Sequence, residues 1–192
     1  MPFESKITLV LTSCGRYDLL ARTLDTLMTF CGELFSEVII AEDWEGEGQV
    51  RNIDRAYAQV KTPLIAHWED DWETLSHEWV EESMEILGTH PEILQVWLRA
   101  HNDTNNHPIV QLPQYPFKTM DATWEWKGFS WNPGLRRKSD WEKIGGYMKH
   151  WQGSSDDTER YIGNLYAEMG YHAAILEPEG HVRHIGGGRS TK

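Results

Sequence analysis

Three consecutive acids, Glu69-Asp70-Asp71, stand at the end of an apolar run that begins at Pro63. Adjacent carboxylates repel one another, so a positive partner is needed close by. A hard divalent cation, Mg²⁺ or Mn²⁺, takes oxygen ligands and readily bridges phosphates. A solvated acidic turn is the plainer account of the acids alone. The other groups able to do chemistry are dispersed along the chain. Arg16 follows the polar stretch Thr12-Ser13-Cys14-Gly15 and can meet a phosphate or a base; Asp43 follows Glu42 and can accept from a nucleotide ring or ribose. Asp156, Asp157 and Glu159 lie together, and His181, Arg183, His184 and Arg189 lie near the C-terminus.

These residues need elements to hold them. Lys6 to Leu11, Glu37 to Ala41, Pro63 to Trp68 and Ile93 to Leu98 read as short buried strands. Between them, Leu19 to Met28, Gln49 to Val60 and Trp79 to Leu87 repeat apolar residues at helical spacing. Strands alternating with helices predict an α/β fold with a mostly parallel sheet. The acids, Arg16 and Asp43 would then share the carboxyl edge of that sheet, where open α/β sheets bind ligands. No G-x-G-x-x-G or Walker A pattern occurs.

From Ala100 to Trp126 the periodicity stops, and this segment reads as a long irregular loop. Gly128 to Arg137 reads as a strand and turn leading to basic residues, Ser139 to Ile144 as a short helix, and Ala173 to Leu176 and Val182 to Ile185 as terminal strands. The last helix opens at Ser155 and ends at Gly170. On it, Asp156 shares the face of Arg160, Gly163 and Ala167; Asp157 falls with Tyr161 and Leu165, and Glu159 with Ile162 and Tyr166. This phase predicts that Asp157 and Glu159 point inward and Asp156 outward. Helix capping and the macrodipole explain the same acids without any catalytic role.

A chain of 192 residues with 40% hydrophobic and 25% charged residues predicts one domain. Ten Trp is a high count. Trp68, Trp72, Trp124, Trp126 and Trp131 neighbour polar residues and can stack on a flat ligand or sugar ring, although packing accounts for most of the tryptophans. The net charge of −12 disfavours non-specific contact with nucleic acid or anionic membrane. Two Cys without a C-x-x-C pair, no leader-like N-terminus and no bilayer-length apolar run lead to the expectation of a cytoplasmic protein without a membrane span.

Taken in order, Thr-Ser-Cys-Gly-Arg after the first strand, Glu-Asp-Asp-Trp after the central one, Gly-Phe-Ser-Trp-Asn-Pro-Gly-Leu-Arg-Arg at 128–137 and His-Ile-Gly-Gly-Gly-Arg at 184–189 resemble the GT-A-fold glycosyltransferases, in particular small family-2-like bacterial and phage members. The resemblance implies a single Rossmann-like GT-A domain, with residues 1–99 binding the nucleotide sugar and 100–192 forming the acceptor-side, catalytic half. It implies a metal-dependent hexosyl- or pentosyltransferase using Mn²⁺ or Mg²⁺ and a nucleoside-diphosphate sugar, a UDP-sugar above all. By it, Asp71 and His184 are metal ligands. Thr12, Arg16, Asp43, Glu69, Asp70, Arg136 and Arg189 hold the donor, and Arg189 neutralises the leaving diphosphate. Glu159, or Asp157 in its place, is the base. Glu69 departs from the Asp more usual at the first motif position. The expected acceptor is a glycan or polysaccharide hydroxyl, with modified phage DNA the alternative that the charge weighs against. A catalytically silent GT-A binding module and a nucleotidyltransferase are the competing functions.

Overall fold

The computed structural model describes residues 6–187. Its main sheet has eight strands: β1 (Ile7–Ser13), β2 (Glu37–Glu42), β3 (Leu64–Glu69), β5 (Ile93–Trp97), β6 (Ile109–Val110), β7 (Lys118–Met120), β8 (Gly134–Arg137) and β9 (His172–Ile175). Their spatial order is β2-β1-β3-β8-β5-β9-β7-β6. Six run in one direction, and only β7 and β8 run against them. A separate two-stranded sheet pairs β4 (Trp72–Thr74) with β10 (Val182–His184). Five α-helices cover the main sheet: α1 (Tyr17–Cys31), α2 (Gln49–Tyr57), α3 (Trp79–Thr89), α4 (Lys138–Ile144) and α5 (Ser155–Glu168).

Strand alternation builds the layers. On β1, Leu9 and Leu11 enter one core with Leu27 of α1 and Trp79, Ile86 and Leu87 of α3. Val10 between them enters the opposite core with Ile53 and Tyr57 of α2 and Ile162 and Tyr166 of α5. Successive side chains on a strand point to opposite faces, so a continuous apolar run is what a sheet covered on both sides requires. β3 repeats the pattern, Ala66 and Trp68 on the first face and Ile65 on the second. The fold is thus a mixed α/β sandwich with a mostly parallel central sheet flanked by helices.

One feature differs from the sequence reading, and two settle placements it left open. The 100–126 segment is not irregular throughout: β6 and β7 extend the sheet from within it, each too short to show a period. β8 enters antiparallel between β3 and β5. Gly134 makes that insertion possible, because a Cβ there would stand 2.5 Å from the Val96 carbonyl oxygen. The terminal strand at 182–184 pairs with β4, which follows the acidic turn, instead of joining the main sheet.

The ends of β1, β2, β3 and β5 and the start of β8 therefore meet at one edge. Parallel pairing aligns Thr12 with Glu69 and Ser13 with Glu42, and the antiparallel start of β8 places Gly134 opposite His67 and Trp97. Among the described residues, no helix is long and apolar enough to cross a membrane.

Candidate active site

The acidic turn between β3 and β4 is held from below by α1. Buried Thr23 donates to the Asp70 carbonyl at 2.9 Å, and its hydroxyl accepts from the Trp72 amide at 3.2 Å. Asp70 is fully buried, and its carboxylate accepts from the Ser13 hydroxyl at 2.9 Å and from the Arg16 guanidinium. Arg16 reaches Asp71 as well, Nη1 to Oδ2 at 2.7 Å. The positive partner that three adjacent acids demand is thus supplied in part by Arg16. Asp70 fixes Arg16 and the turn after β1 from inside the protein.

Asp71 Oδ2 also lies 3.3 Å from His184 Nε2. Burial pushes the Asp71 carboxyl up, but His184 and Arg16 outweigh it and hold the group below its ordinary range. The hydrogen bond to Asp71 in turn raises the His184 imidazole. β10 brings His184 here, and it is anchored by Glu73 of β4, whose carboxylate binds both Arg22 of α1 and Arg183 of β10. The chain then folds back over the pair, with the Ile185 amide on the Asp71 carbonyl at 2.8 Å. Glycine follows, and a Cβ on Gly186 would stand 2.5 Å from Asp71 Oδ2 and 2.8 Å from His184 Nε2, so any larger residue must displace one of the pair.

Do these groups suit a divalent cation? Among the described residues, no three His, Cys, Asp or Glu side chains gather around one point. Two donors do face each other, and ligands about 2.1 Å from an octahedral ion stand about 3 Å apart on adjacent positions. A carboxylate and an imidazole at 3.3 Å meet that spacing. Mg²⁺-type ions commonly take one or two protein ligands and complete their shell with water and substrate phosphates. The donor set fits a substrate-bridging cation and does not fit a closed structural one.

Thr12 and Asp43 stand on the same edge with their polar groups engaged. The Thr12 hydroxyl donates to the Trp68 carbonyl at 3.2 Å, and Asp43 accepts from the amides of Glu47 at 2.9 Å and Gly48 at 2.8 Å. Asp43 thereby orders the loop that leads into α2.

Beside this cluster opens a cavity of about 450 Å³. Glu69 forms the divide between the two. Its Oε1 accepts from Gln49 Nε2 at 2.7 Å and its Oε2 from Trp72 Nε1 at 3.3 Å. Burial, then the neighbouring charge of Asp71, pushes this carboxyl up to about 7. Across the cavity stands Glu159, 7% exposed, accepting at Oε1 from the Trp131 amide at 2.9 Å. Burial raises it to about 8, and the bonds from Ser130 and Trp131 offset that only in part. Around the two lie Trp97, Trp124, Trp126 and Trp131, with Asn105, His107, Asn132 and Asp156. β5, the 100–108 loop, the 121–132 segment and the start of α5 all contribute to this wall.

The helix phase located Glu159 inside, but it misplaced the two aspartates. Asp157 points outward: it takes the Ser154 hydroxyl at 2.7 Å and pairs with Arg160, and these contacts lower its carboxyl. Ser154 caps α5 by accepting from the Asp157 amide, which ties that residue to the helix end. Asp156, read as outward, lines the cavity instead. Arg136 is also elsewhere. It is buried in the core under the 130–132 loop, donating to the carbonyls of Ser130 at 3.0 Å and Asn132 at 3.3 Å, with its guanidinium 5.7 Å from the Phe129 ring centre. It supports the wall that carries Glu159 and does not reach the donor edge. Arg189 lies outside the described residues.

Sequence reasoning missed Arg99, Gln49 and His107. Arg99, at the end of β5, is buried 4.9 Å above the Trp72 ring and binds Asp103 and Asn105, which places a cation between the His184 cluster and the cavity. Its place directly after a buried strand was the signal available. Gln49 carried none, because its role of joining Glu69 to Ser155 is purely tertiary.

No protein-family model matches the chain, and no curated protein sequence matches it. Solved structures do. A mannosyltransferase from Pyrobaculum calidifontis, PcManGT, solved with GDP-Man and Mn²⁺, superposes with a TM-score of 0.62 at 12% identity over 89% of this chain and 56% of its own. TarS of S. aureus, residues 1–349, gives 0.60 at 9% identity over 92% of this chain and 59% of its own. At these identities the likeness is one of fold, and the chain spans less than two thirds of either structure.

Proposed function

We propose that this chain is a glycosyltransferase that takes a sugar from a nucleoside diphosphate at the Arg16–Asp71–His184 edge and passes it to a hydroxyl held in the adjoining cavity. One observation carries the reading: a buried carboxyl, Glu159, faces an open cavity that adjoins, across Glu69, a pair of cation donors on the carboxyl edge of the sheet. The fold likeness to two glycosyltransferases supports it.

The roles follow from the geometry. Asp71 and His184 would hold Mg²⁺ or Mn²⁺, which when bound neutralises the charge that develops on the departing diphosphate. Arg16, fixed by Asp70, adds a guanidinium beside the same oxygens. The base and ribose would lie over the loop that Asp43 orders. Glu159 would take the proton of the acceptor hydroxyl, and its raised carboxyl is the form a buried general base has before it ionises. Such a base acts opposite the departing group, so the reading includes inversion at the sugar carbon. The Trp131 amide and the Ser130 hydroxyl keep the carboxyl aimed while it gains and loses the proton.

Release of nucleoside diphosphate from a set of UDP-, GDP- and dTDP-sugars, with and without Mn²⁺, tests the reading. Metal-dependent release from one of them is expected, with UDP the nucleotide anticipated from the sequence. No release from any donor, with donor binding intact, would leave a binding module in place of an enzyme.

A further inference from the structure

The cavity beside Glu159 carries a chemical preference of its own. Three acids line it, Glu69, Asp156 and Glu159. Among the described residues, no Lys or Arg does. Of the cations next to the lining, Arg99 is buried and turned to Asp103 and Asn105, and Arg136 donates from the core to the carbonyls of Ser130 and Asn132. His107 does not supply the missing charge, since burial and then Arg99 lower its imidazole and keep it neutral near pH 7. Four indole rings complete the wall, graded from Trp97 and Trp131, both buried, through half-buried Trp126 to Trp124, 46% exposed. Trp97 and Trp126 have their N–H groups turned into the protein, on the carbonyls of Gly128 at 2.7 Å and Phe129 at 2.9 Å. Two buried polar atoms in the lining, Trp131 Nε1 and His107 Nδ1, have no partner among the described residues. Buried polar groups normally find a partner, and in a cavity of ligand size a bound molecule can supply one.

We infer that this cavity takes an uncharged saccharide ring, and that it rejects rings bearing phosphate or carboxylate. The inference rests on the transferase reading only in calling that saccharide the acceptor. Ring C–H faces suit indole surfaces. Hydroxyls can donate to Asp156 and to Glu159 and accept from Trp131 Nε1. An anionic ring meets the reverse: its charge would lie beside acidic side chains, Asp156 among them, with no guanidinium or ammonium among the described lining residues to bind it. A phosphate diester backbone meets the same obstacle, which sets this cavity against a nucleic acid or a phosphate-linked polymer entering phosphate-first. The donor edge is built the other way, with Arg16 and His184 at its centre. The two ligands are therefore sorted by charge on either side of Glu69.

Saturation-transfer NMR on the full chain, without nucleotide, tests the preference. The ligands are neutral methyl glycosides of the common hexoses and pentoses with their disaccharides, the matching hexose 6-phosphates and uronates, and a nucleoside bearing a 5-hydroxymethyl group. At least one neutral glycoside should show transfer, and its charged counterpart should bind at least tenfold more weakly. Trp124→Ala, at the exposed rim where the fold does not depend on it, should weaken the neutral ligand about tenfold, the size of one lost ring stack. Asp156→Lys should narrow the gap between the neutral and phosphorylated rings. Equal or tighter binding of the phosphorylated ring overturns the inference. So does nucleoside binding in place of any sugar, no binding of any neutral glycoside, or Trp124→Ala binding that equals wild type. Nucleotide-sugar hydrolysis is read separately. A protein that binds neutral glycosides but hydrolyses no donor keeps this inference and loses the transferase reading. A protein that hydrolyses a donor but ignores neutral glycosides does the opposite.

Discussion

Replacing Glu159 with Gln should make the protein more stable and less active, and the gain in stability should depend on pH. The carboxyl is raised from 4.5 to about 8 by burial. Between those values the unfolded chain has released the proton and the folded chain has kept it, so this group lowers stability as pH rises from about 4.5 to about 8, and the loss levels off above that. With one pKa unit equal to about 1.4 kcal/mol, linkage gives a cost of about 1 kcal/mol at pH 5 and about 3 kcal/mol at pH 7. Gln removes the cost, and its side-chain oxygen can still accept from the Trp131 amide, 2.9 Å away in wild type. For a chain of this size 1 kcal/mol moves Tm by about 2–4 °C, so the variant should gain about 5–10 °C more over wild type at pH 7 than at pH 5. Turnover should fall by about a hundredfold or more, the size of a lost general base. In wild type, kcat/KM should climb with pH toward a plateau just above 8. Thermal melts at pH 5, 7 and 9 and turnover on the same preparations check both halves. A Tm difference that is the same at every pH refutes the burial argument, and normal turnover in the variant refutes the role as base.

Asp71→Asn should abolish metal-dependent release of nucleoside diphosphate, and a chelator should do the same to wild type; activity of the variant at the wild-type level in Mn²⁺ would remove Asp71 from the cation site. Arg16→Ala should cost about 3 kcal/mol, measured by denaturant melts, because it strips the partner from a fully buried Asp70 that keeps only neutral donors; a variant of unchanged stability with only a weaker donor would show that the pair contributes little. Gly186→Ala should lower Mn²⁺ affinity at least tenfold with Tm little changed, since the new methyl displaces Asp71 Oδ2 or His184; calorimetric titration with Mn²⁺ decides it. Asp157→Asn should keep wild-type turnover and lose at most about 1 kcal/mol, as expected for a capping acid on the outer face of α5.

The sheet was legible because burial on both faces leaves a mark in sequence. Strands such as Leu9-Val10-Leu11 must be apolar throughout, and α1 must repeat Leu19, Thr23, Leu27 and Cys31 on one side. Short pairings leave no such mark. β6 spans two residues and β4 three, and each exists only because a partner strand lies beside it. The inward turn of Glu159 could be read from its phase with Ile162 and Tyr166. Its neighbours could not, because the first turn of a helix bends to its cap: Ser154 draws Asp157 to the solvent side, and Asp156 is left over the cavity. Arg136 misled for a related reason. The resemblance made it a donor ligand, and only the antiparallel entry of β8 shows that it lies in the core.

Placing Glu69 between the two clusters has an electrostatic consequence. Sugar transfer drives negative charge onto the diphosphate while an acceptor hydroxyl gives up its proton. Cations on the acceptor side would lower the basicity of Glu159, and carboxylates left unpaired on the donor side would oppose the diphosphate. The structure avoids both. Arg16 binds the two aspartates on the donor side, and the cavity has acids and indoles without a described Lys or Arg. Glu69 borders both, and because its two oxygens are held by Gln49 and Trp72, it cannot swing toward Arg16 and be neutralised there without breaking two hydrogen bonds. Glu69 therefore stays at the border of the two sites, and burial, with Glu69 a smaller contributor, keeps Glu159 a stronger base than an ordinary carboxylate.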